Sequence, residues 1–300
     1  MSKLATTVAE LKNVSKTYAQ VEALKKVDLS IYSGEVLALL GPNGAGKTTA
    51  ISLLLGLLRP SQGKALLFGE NPQSRAARSR VGVMLQISGI PETLKVKEHI
   101  ELFSSYYPQP LGMAELLELS GLTGLENRWY GKLSGGQKQR LHLALAMCGN
   151  PDLVFLDEPT TGLDIATRRA LWEQVRGFID SGRTVVLTTH YLEEADALAD
   201  RIVLINQGQI IAEGSPTEIK AQTSGRRIRL QTSLKPEDVK AIPGVTNVKQ
   251  DGAALEIFAN NAEQVVLKLL NRDQQASALE VSTAGLEDAF LALTEERKAA

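Results

Sequence analysis

The stretch VLALLGPNGAGKTT, residues 36–49, decides the fold. Its five apolar residues, Val36 to Leu40, predict a strand that is covered on both faces. The residues from Thr48 to Leu58 follow a helical pattern. Between them, Gly41-x4-Gly46-Lys47-Thr48 fits the phosphate-binding loop pattern, which requires a strand before it and a helix after it. The sequence therefore predicts a strand, a phosphate loop and a helix in immediate succession.

The chemistry of this loop follows from its glycines and its lysine. Glycines let consecutive backbone N–H groups curl around phosphate oxygens, and the helix N-terminus adds positive potential. Lys47 is expected to neutralise the β- and γ-phosphates, and Thr48 to bind Mg²⁺. The alternative is a glycine-rich turn without a ligand, which the strand–loop–helix context disfavours. The predicted nucleotide contacts of this segment are Gly41, Pro42, Asn43, Gly44, Ala45, Gly46, Lys47, Thr48 and Thr49.

A second apolar run, LVFL at residues 153–156, ends in two carboxylates, Asp157 and Glu158. Ligands of open α/β sheets bind at the carboxyl ends of the strands. Asp157 is therefore expected to hold Mg²⁺, and Glu158 to orient or deprotonate an attacking water. In isolation a surface turn would be the simpler interpretation, but the position downstream of a phosphate loop favours the functional one.

The wider pattern predicts an α/β protein with two domains. Strands at 153–156 and 184–188 are each followed by a helix, near 166–180 and 192–199, which is typical of a parallel sheet. Residues 8–40 predict strands and turns, and about 88–150 predict a helical insertion with helices at 99–107, 113–119 and 137–148. A change of composition at 222–225 predicts domains over 6–222 and 226–300, the second a small α+β domain of the ferredoxin-like type.

Composition limits the classes of function. A net charge of −1 over 300 residues argues against a general nucleic-acid binder. No apolar stretch approaches the roughly 20 residues of a membrane span, and the N-terminus lacks the apolar core of a signal peptide. The single cysteine, Cys148, allows no intramolecular disulfide and fits a small buried apolar residue in a reducing compartment. We expect a cytosolic protein that reaches a membrane only through a partner.

The segment LSGGQ, residues 133–137, places a serine and two glycines before a helix, which makes it a second candidate anion site. Composition alone would favour a simple helix cap. Followed by Lys138-Gln139-Arg140-Leu141, however, it resembles the signature of the ATP-binding subunits of ABC transporters. The resemblance covers roughly residues 8–220, and the order of the motifs agrees. It implies an ABC-type P-loop core: a RecA-like sheet, an antiparallel β part and a helical subdomain.

The resemblance also implies roles for single residues. Tyr18 matches the aromatic residue that stacks on adenine, although an exposed strand-end tyrosine is its plain alternative. Gln86 matches the residue that senses Mg²⁺ and touches the membrane partner, and His190 the one that hydrogen-bonds the γ-phosphate. Asp164 matches the residue that communicates across a dimer interface, and Ile165 beside it replaces a proline that is frequent in the family. The signature residues that would close over the nucleotide of a second copy are Ser134, Gly135, Gly136 and Gln137.

The expected function is therefore ATP binding and hydrolysis, with Mg²⁺, by a homodimer that energises a separate membrane permease from the cytoplasmic face. Residues 285–294 resemble the tail of ATPases that serve ABC-2-type permeases, many of which export drugs, polysaccharides or lipids. The alternative is a soluble ABC ATPase that acts on the ribosome or on DNA. Against it, the chain has one cassette, and the roughly 85 residues between Thr48 and Ser134 show no sustained heptads. For the C-terminal domain, binding of a regulatory ligand, dimerisation and partner docking remain open.

Overall fold

The computed structural model describes residues 6–85, 90–222, 226–283 and 285–296. The chain divides into two compact units, Met1–Pro216 and Thr217–Ala300. The strands of the first unit are β1 (Thr7–Tyr18), β2 (Val21–Tyr32), β3 (Val36–Leu40), β4 (Gln62–Leu67), β5 (Val81–Met84), β6 (Leu153–Asp157), β7 (Thr184–Thr188), β8 (Arg201–Asn206) and β9 (Gln209–Gly214). The helices up to residue 222 are α1 (Lys47–Leu54), α2 (Arg75–Arg78), α3 (Val96–Ser104), α4 (Met113–Leu119), α5 (Gly135–Met147), α6 (Ile165–Asp180), α7 (Leu192–Leu198) and α8 (Pro216–Gln222).

The core of the first unit is a six-stranded sheet with the order β5-β6-β7-β3-β8-β9. All neighbouring strands are parallel except the pair β8 and β9. Strand β3 lies between β7 and β8, and every residue of it is buried, as its unbroken apolar run predicts. Because parallel strands end at the same edge of a sheet, the loops after β3, β6 and β7 meet there.

An antiparallel sheet with the order β2-β1-β4 forms the second layer of strands in this unit. The predicted combination of a largely parallel sheet, an antiparallel β part and a helical subdomain is confirmed. Strands β4, β8 and β9 were not predicted. Strand β4 has the sequence QGKALL, whose polar first half shows no alternation of apolar and polar residues. Its extended conformation depends on pairing with β1, which the sequence does not reveal.

The helical subdomain is confirmed, but the predicted bounds of its helices and of α1 were partly wrong. Helix α1 ends at Leu54 and not at Leu58, because Gly56 adopts a left-handed conformation with a φ of +65°. A Cβ atom there would lie 2.8 Å from the backbone of Pro72, so no larger residue fits. Helix α3 begins three residues earlier than predicted, where the Glu98 carboxylate accepts the Lys95 N–H at 2.7 Å. Helix α5 begins at Gly135 because Ser134 caps it.

The second unit contains β10 (Arg226–Gln231), α9 (Pro236–Lys240), β11 (Val245–Asp251), β12 (Ala254–Ala259), α10 (Ala262–Arg272), β13 (Ser277–Thr283) and α11 (Leu286–Glu296). Its antiparallel sheet has the order β11-β12-β10-β13, which confirms the predicted ferredoxin-like arrangement. A separate apolar core, with Ile228, Ile257 and Leu269 at its centre, lies between sheet and helices. None of the described helices, in either unit, has both the length and the apolarity that a membrane span needs.

Candidate functional site

The phosphate loop runs from the end of β3 to the start of α1. Helix α1 has Gly46 as its N-cap, and no side chain caps it, so its first N–H groups lack a side-chain acceptor. Gly46 has a φ of +112°, and a Cβ atom there would lie 2.7 Å from both the Ala23 carbonyl oxygen and the Leu24 side chain. Only glycine fits this position, since the neighbouring strand β2 approaches the loop closely.

Lys47 is held across the mouth of the loop. Its Nζ donates to the carbonyl oxygens of Gly41, at 2.7 Å, and Pro42, at 3.2 Å. Burial lowers the pKa of the Lys47 ammonium, and the charges of Glu158 and Asp157 oppose this shift. The lysine is therefore a half-buried cation directed at the loop, as the phosphate-loop pattern predicts.

A cleft of about 630 Å³ extends from the loop to the ends of strands β5 and β6. It brings together most of the predicted phosphate contacts with the two predicted carboxylates. Its lining residues are Ala23, Asn43, Gly44, Ala45, Gly46, Lys47, Thr48, Thr49, Ile51, Ser52, Leu85, Asp157 and Glu158. Two elements that are more than 100 residues apart in sequence thus form one concave site.

The carboxylates are fixed by strand β7. Asp157, the last residue of β6, accepts a hydrogen bond from Thr188 Oγ1. Glu158 has a φ of +50°, a left-handed conformation that is uncommon for a residue with a side chain, and its N–H donates to the Thr188 carbonyl at 3.0 Å. His190 Nδ1 lies 3.4 Å from Glu158 Oε1. The structure therefore brings Glu158 and His190 together, a contact that no spacing along the chain predicts.

The signature residues do not line this cleft. Ser134 caps α5: its Oγ accepts the Gln137 N–H at 3.3 Å, while the Gln137 side chain accepts the Ser134 N–H at 3.0 Å. The helix cap that composition favoured is thus present. Gly135 is open, whereas a Cβ on Gly136 would lie 2.4 Å from the Thr167 methyl group. The signature glycines therefore combine an open position with a tightly packed one.

Asp164 and Tyr18 also lie outside the cleft lining. Asp164 caps α6, and its carboxylate accepts the N–H and the hydroxyl of Thr167 at 2.9 and 2.8 Å. These hydrogen bonds lower the pKa of Asp164. Tyr18 is 43% exposed at the end of β1, with the Lys16 ammonium 5.1 Å from its ring centroid. Gln86 lies outside the described residues.

Sequence reasoning missed two residues of the site. Thr188 hydrogen-bonds both Asp157 and Glu158. Its position at the end of a strand parallel to β6, where it pairs with Asp157, could have indicated this role. Gly208 supports the phosphate loop: its N–H donates to the Ala45 carbonyl at 2.9 Å, and its own carbonyl accepts from Lys25 at 2.8 Å. A glycine in the turn between β8 and β9 was the only feature of the sequence that could have indicated this role.

Comparison with known proteins agrees with this geometry. The sequence model of the ABC transporter family matches residues 24–161, and that of the "ATP-binding protein DrrA1-3-like, C-terminal domain" matches residues 214–294. A Nod factor export ATP-binding protein I from Sinorhizobium fredii is 37% identical in an alignment over 294 residues that covers 95% of this chain and 85% of the relative. The daunorubicin resistance ATP-binding protein DrrA2 from Streptomyces coeruleorubidus is 38% identical over 302 residues, 95% of this chain and 94% of the relative. The resemblance of residues 285–294 to an exporter-type tail is thereby confirmed.

Solved structures support the same assignment for the first unit. An ATP-binding subunit of an ABC transporter superposes with a TM-score of 0.64 at 29% identity, over 72% of this chain and 93% of that one. The ATP-binding cassette MJ0796, a dimer in a post-hydrolysis state with ADP and Pi, superposes with a TM-score of 0.62 at 28% identity, over 69% of this chain and 98% of that one. None of these relatives supports the alternative of an ATPase that acts on the ribosome or on DNA. The chain belongs to the family of ABC transporter ATP-binding subunits, and it is an ATPase.

Proposed function

We propose that a homodimer of this chain energises a separate integral membrane permease of the ABC-2 type, for the export of a drug, lipid or polysaccharide. The names of the two relatives, a Nod factor export ATP-binding protein and a daunorubicin resistance ATP-binding protein, support a role in export. The DrrA-like second unit supports the ABC-2 type. The protein would then be cytoplasmic and held at the inner face of the membrane by the permease.

The observation that carries the proposal is the shared cleft of the phosphate loop and the β6 carboxylates. In it, the loop N–H groups and Lys47 bind the phosphates of ATP. Glu158 accepts a proton from the water that attacks the γ-phosphorus, the bond to the β–γ bridging oxygen breaks, and ADP and phosphate leave. His190 orients the γ-phosphate, which is supported by its position beside Glu158. Catalysis is then mainly positioning and electrostatics.

Mg²⁺ fits the donor set of this cleft. Thr48 and Asp157 offer a hydroxyl and a carboxylate oxygen, which are hard ligands of the kind Mg²⁺ takes. Within the described ranges, no group of three or more His, Cys, Asp or Glu side chains could hold a metal by itself. This is compatible with Mg²⁺, which typically binds one or two protein oxygens together with substrate phosphates and waters. The bound ion would neutralise the charge that develops on the phosphate oxygens.

The proposed roles of five further residues complete the site. Tyr18 stacks on adenine, supported by its exposed ring at a strand end. Ser134 and Gly135 close over the γ-phosphate of a second copy, supported by their exposure and by their absence from the cleft of their own chain. Asp164 transmits the state of one nucleotide to the other copy. Gln86, which the structure does not describe, is proposed from the motif order alone to sense Mg²⁺ and to contact the permease.

The first test is Glu158→Gln. This variant retains ATP binding but removes the proton acceptor, so turnover collapses and ATP traps a closed dimer. ATP hydrolysis and the solution mass with and without ATP are measured at the same protein concentrations. Turnover at the wild-type rate would refute the assigned base.

A second test asks whether one chain holds a complete ATP site or only half of a site that a second copy completes. A methyl group at Gly135 meets nothing within 4 Å in its own chain, and the same is true of Gly177 on helix α6. If Gly135 faces the nucleotide of a second copy, Gly135→Ala lowers turnover and ATP-driven dimerisation, whereas Gly177→Ala changes neither. Equal activity of the two variants, or full activity of an isolated monomer at high dilution, would contradict the proposed dimer.

The permease is tested by affinity purification of the chain from solubilised membranes. The expected result is a polytopic membrane protein in stoichiometric amount, identified by mass spectrometry. Co-sedimentation with ribosomes, and no membrane protein, would contradict the proposal.

A further inference from the structure

A buried carboxylate lies behind the loops that carry Glu158 and His190. Glu194, on helix α7, has no exposed surface, and among the described residues no other acidic side chain is buried so completely. A buried charge is costly unless it is paired or hydrogen-bonded, so its partners must be specific. Burial raises the pKa of Glu194, and its hydrogen-bond donors together with the charge of Arg168 oppose the shift.

The groups around Glu194 come from three different segments. Thr160 Oγ1 donates to Glu194 Oε2 at 3.2 Å, and Trp172 Nε1 on helix α6 donates to Oε1 at 3.0 Å. In the third segment the Glu194 N–H donates to the Tyr191 carbonyl at 3.0 Å, and the Thr189 side chain lowers the pKa of Glu194. Thr160 is two residues beyond Glu158, and Thr189 and Tyr191 flank His190. Glu194 therefore contacts both segments whose functional side chains face each other.

The two loops need such a restraint. The φ of +50° at Glu158 is strained for a residue with a side chain, and strain of this kind persists only where the surroundings fix it. On the other loop, Thr189 Oγ1 accepts the Tyr191 N–H at 2.9 Å and donates to the Tyr191 carbonyl at 3.5 Å, so this hydroxyl shapes the turn around His190. Glu194 contacts the same turn through the Tyr191 carbonyl and the Glu158 loop through Thr160.

A second path joins the same groups through ring contacts. The Arg168 guanidinium lies 3.8 Å from the centroid of the Tyr191 ring, and that ring lies 4.2 Å from the His190 ring. The charge of Arg168 acts on Glu194 as well. The imidazole is therefore positioned from both its backbone and its ring face.

We propose that Glu194 is a positioning residue for ATP hydrolysis, which holds the Glu158 and His190 loops in register through its hydrogen bond with Thr160 and its contact with the turn at Tyr191. The inference rests on the proposed roles of Glu158 and His190. A purely structural role would lower stability only, whereas a positioning role lowers kcat at unchanged ATP affinity, because a small misplacement at the reacting centre costs rate.

Thr160→Val tests the proposal against a closely matched control, Thr184→Val. Both threonines are 1% exposed, and the Thr184 hydroxyl also makes one hydrogen bond, accepting the Gly34 N–H at 3.0 Å at the opposite end of β7. Both variants therefore lose one buried hydrogen bond. In the whole chain at saturating protein concentration, we expect Thr160→Val to lower kcat by about tenfold or more with the ATP KM unchanged. Thr189→Val should behave like it, and Thr184→Val should retain kcat.

A double-variant comparison then identifies the shared contact. Glu194→Leu lowers kcat, and Thr160→Val added to it lowers kcat much less than it does alone, because both changes break the same hydrogen bond. Independent multiplicative losses, or equal losses in Thr160→Val and Thr184→Val, would overturn the proposal. If Glu194→Leu fails to fold, the three threonine variants still decide.

Glu158→Gln is measured in the same assay, so that an error in the role of Glu194 can be distinguished from an error in the assigned base. If it abolishes turnover while the threonine variants are equal, only the role of Glu194 is wrong. If Glu158→Gln leaves turnover intact, the assigned base is wrong and the inference about Glu194 falls with it.

Discussion

Replacing Gly136 by alanine tests how helix α5, which begins with the signature glycines, packs against helix α6. A Cβ atom at Gly136 would lie 2.4 Å from Thr167 Cγ2, whereas ordinary van der Waals contact begins at 3.4 Å. The two groups must therefore move apart by about 1 Å. Thr167 is bound to Asp164 through both its N–H and its hydroxyl, so its displacement weakens the cap of α6.

The expected cost follows from these contacts. Overpacking of this kind costs about 1–3 kcal/mol, and partial loss of the cap adds up to about 1 kcal/mol. The better helix propensity of alanine returns about 1 kcal/mol. Relative to the wild type, the net loss is then about 0–3 kcal/mol, and at about 2–4 °C per kcal/mol for a unit of this size the Tm falls by up to about 12 °C.

The assay is calorimetric unfolding of the whole chain without nucleotide, with Gly135→Ala as the control. Gly135→Ala gains the same helix propensity but meets no atom within 4 Å, so its Tm should equal or exceed that of the wild type. If Gly136→Ala proves as stable as Gly135→Ala, the close packing of the signature against α6 is refuted.

Three further predictions follow from the surroundings of individual side chains. Arg201→Ala leaves the Glu35 carboxylate without the guanidinium 2.6 Å away, so urea unfolding should show a loss of about 3–5 kcal/mol, and a loss below 1 kcal/mol would contradict it. Burial raises the pKa of the Cys148 thiol to about 11, so it should resist a disulfide reagent at pH 8 until guanidinium unfolds the chain, and rapid reaction of the native protein would be the contrary result. Hydrogen bonds from Thr232 and Ser233 lower the pKa of Asp273 to about 2, below its value of about 4 in the unfolded chain. The ionised Asp273 therefore stabilises the folded second unit above pH 4, and this stabilisation is lost as the pH falls towards 2. Thermal unfolding of the second unit should show this loss in the wild type and not in Asp273→Asn.

Several features of this protein followed from sequence because their causes are local. A phosphate loop needs glycines, a lysine and a hydroxyl at fixed spacing between a strand and a helix, and residues 36–49 contain all of them in order. The order of elements in the second unit could likewise be read from short alternating and periodic segments. The limits of this approach are visible at α1, where the left-handed conformation of Gly56 ends the helix earlier than its composition indicates, at a point where Pro72 leaves no room for a side chain.

By itself, the sequence determined the motifs, the class of fold and the residues that must meet a nucleotide. Only the tertiary structure decided how the loops after β6 and β7 are held: Thr188 binds Asp157 and Glu158, and the buried Glu194 accepts a hydrogen bond from Thr160. The physical reason is that parallel strands adjacent in space are distant in sequence, so the register between β6 and β7 sets these contacts and no spacing along the chain records it.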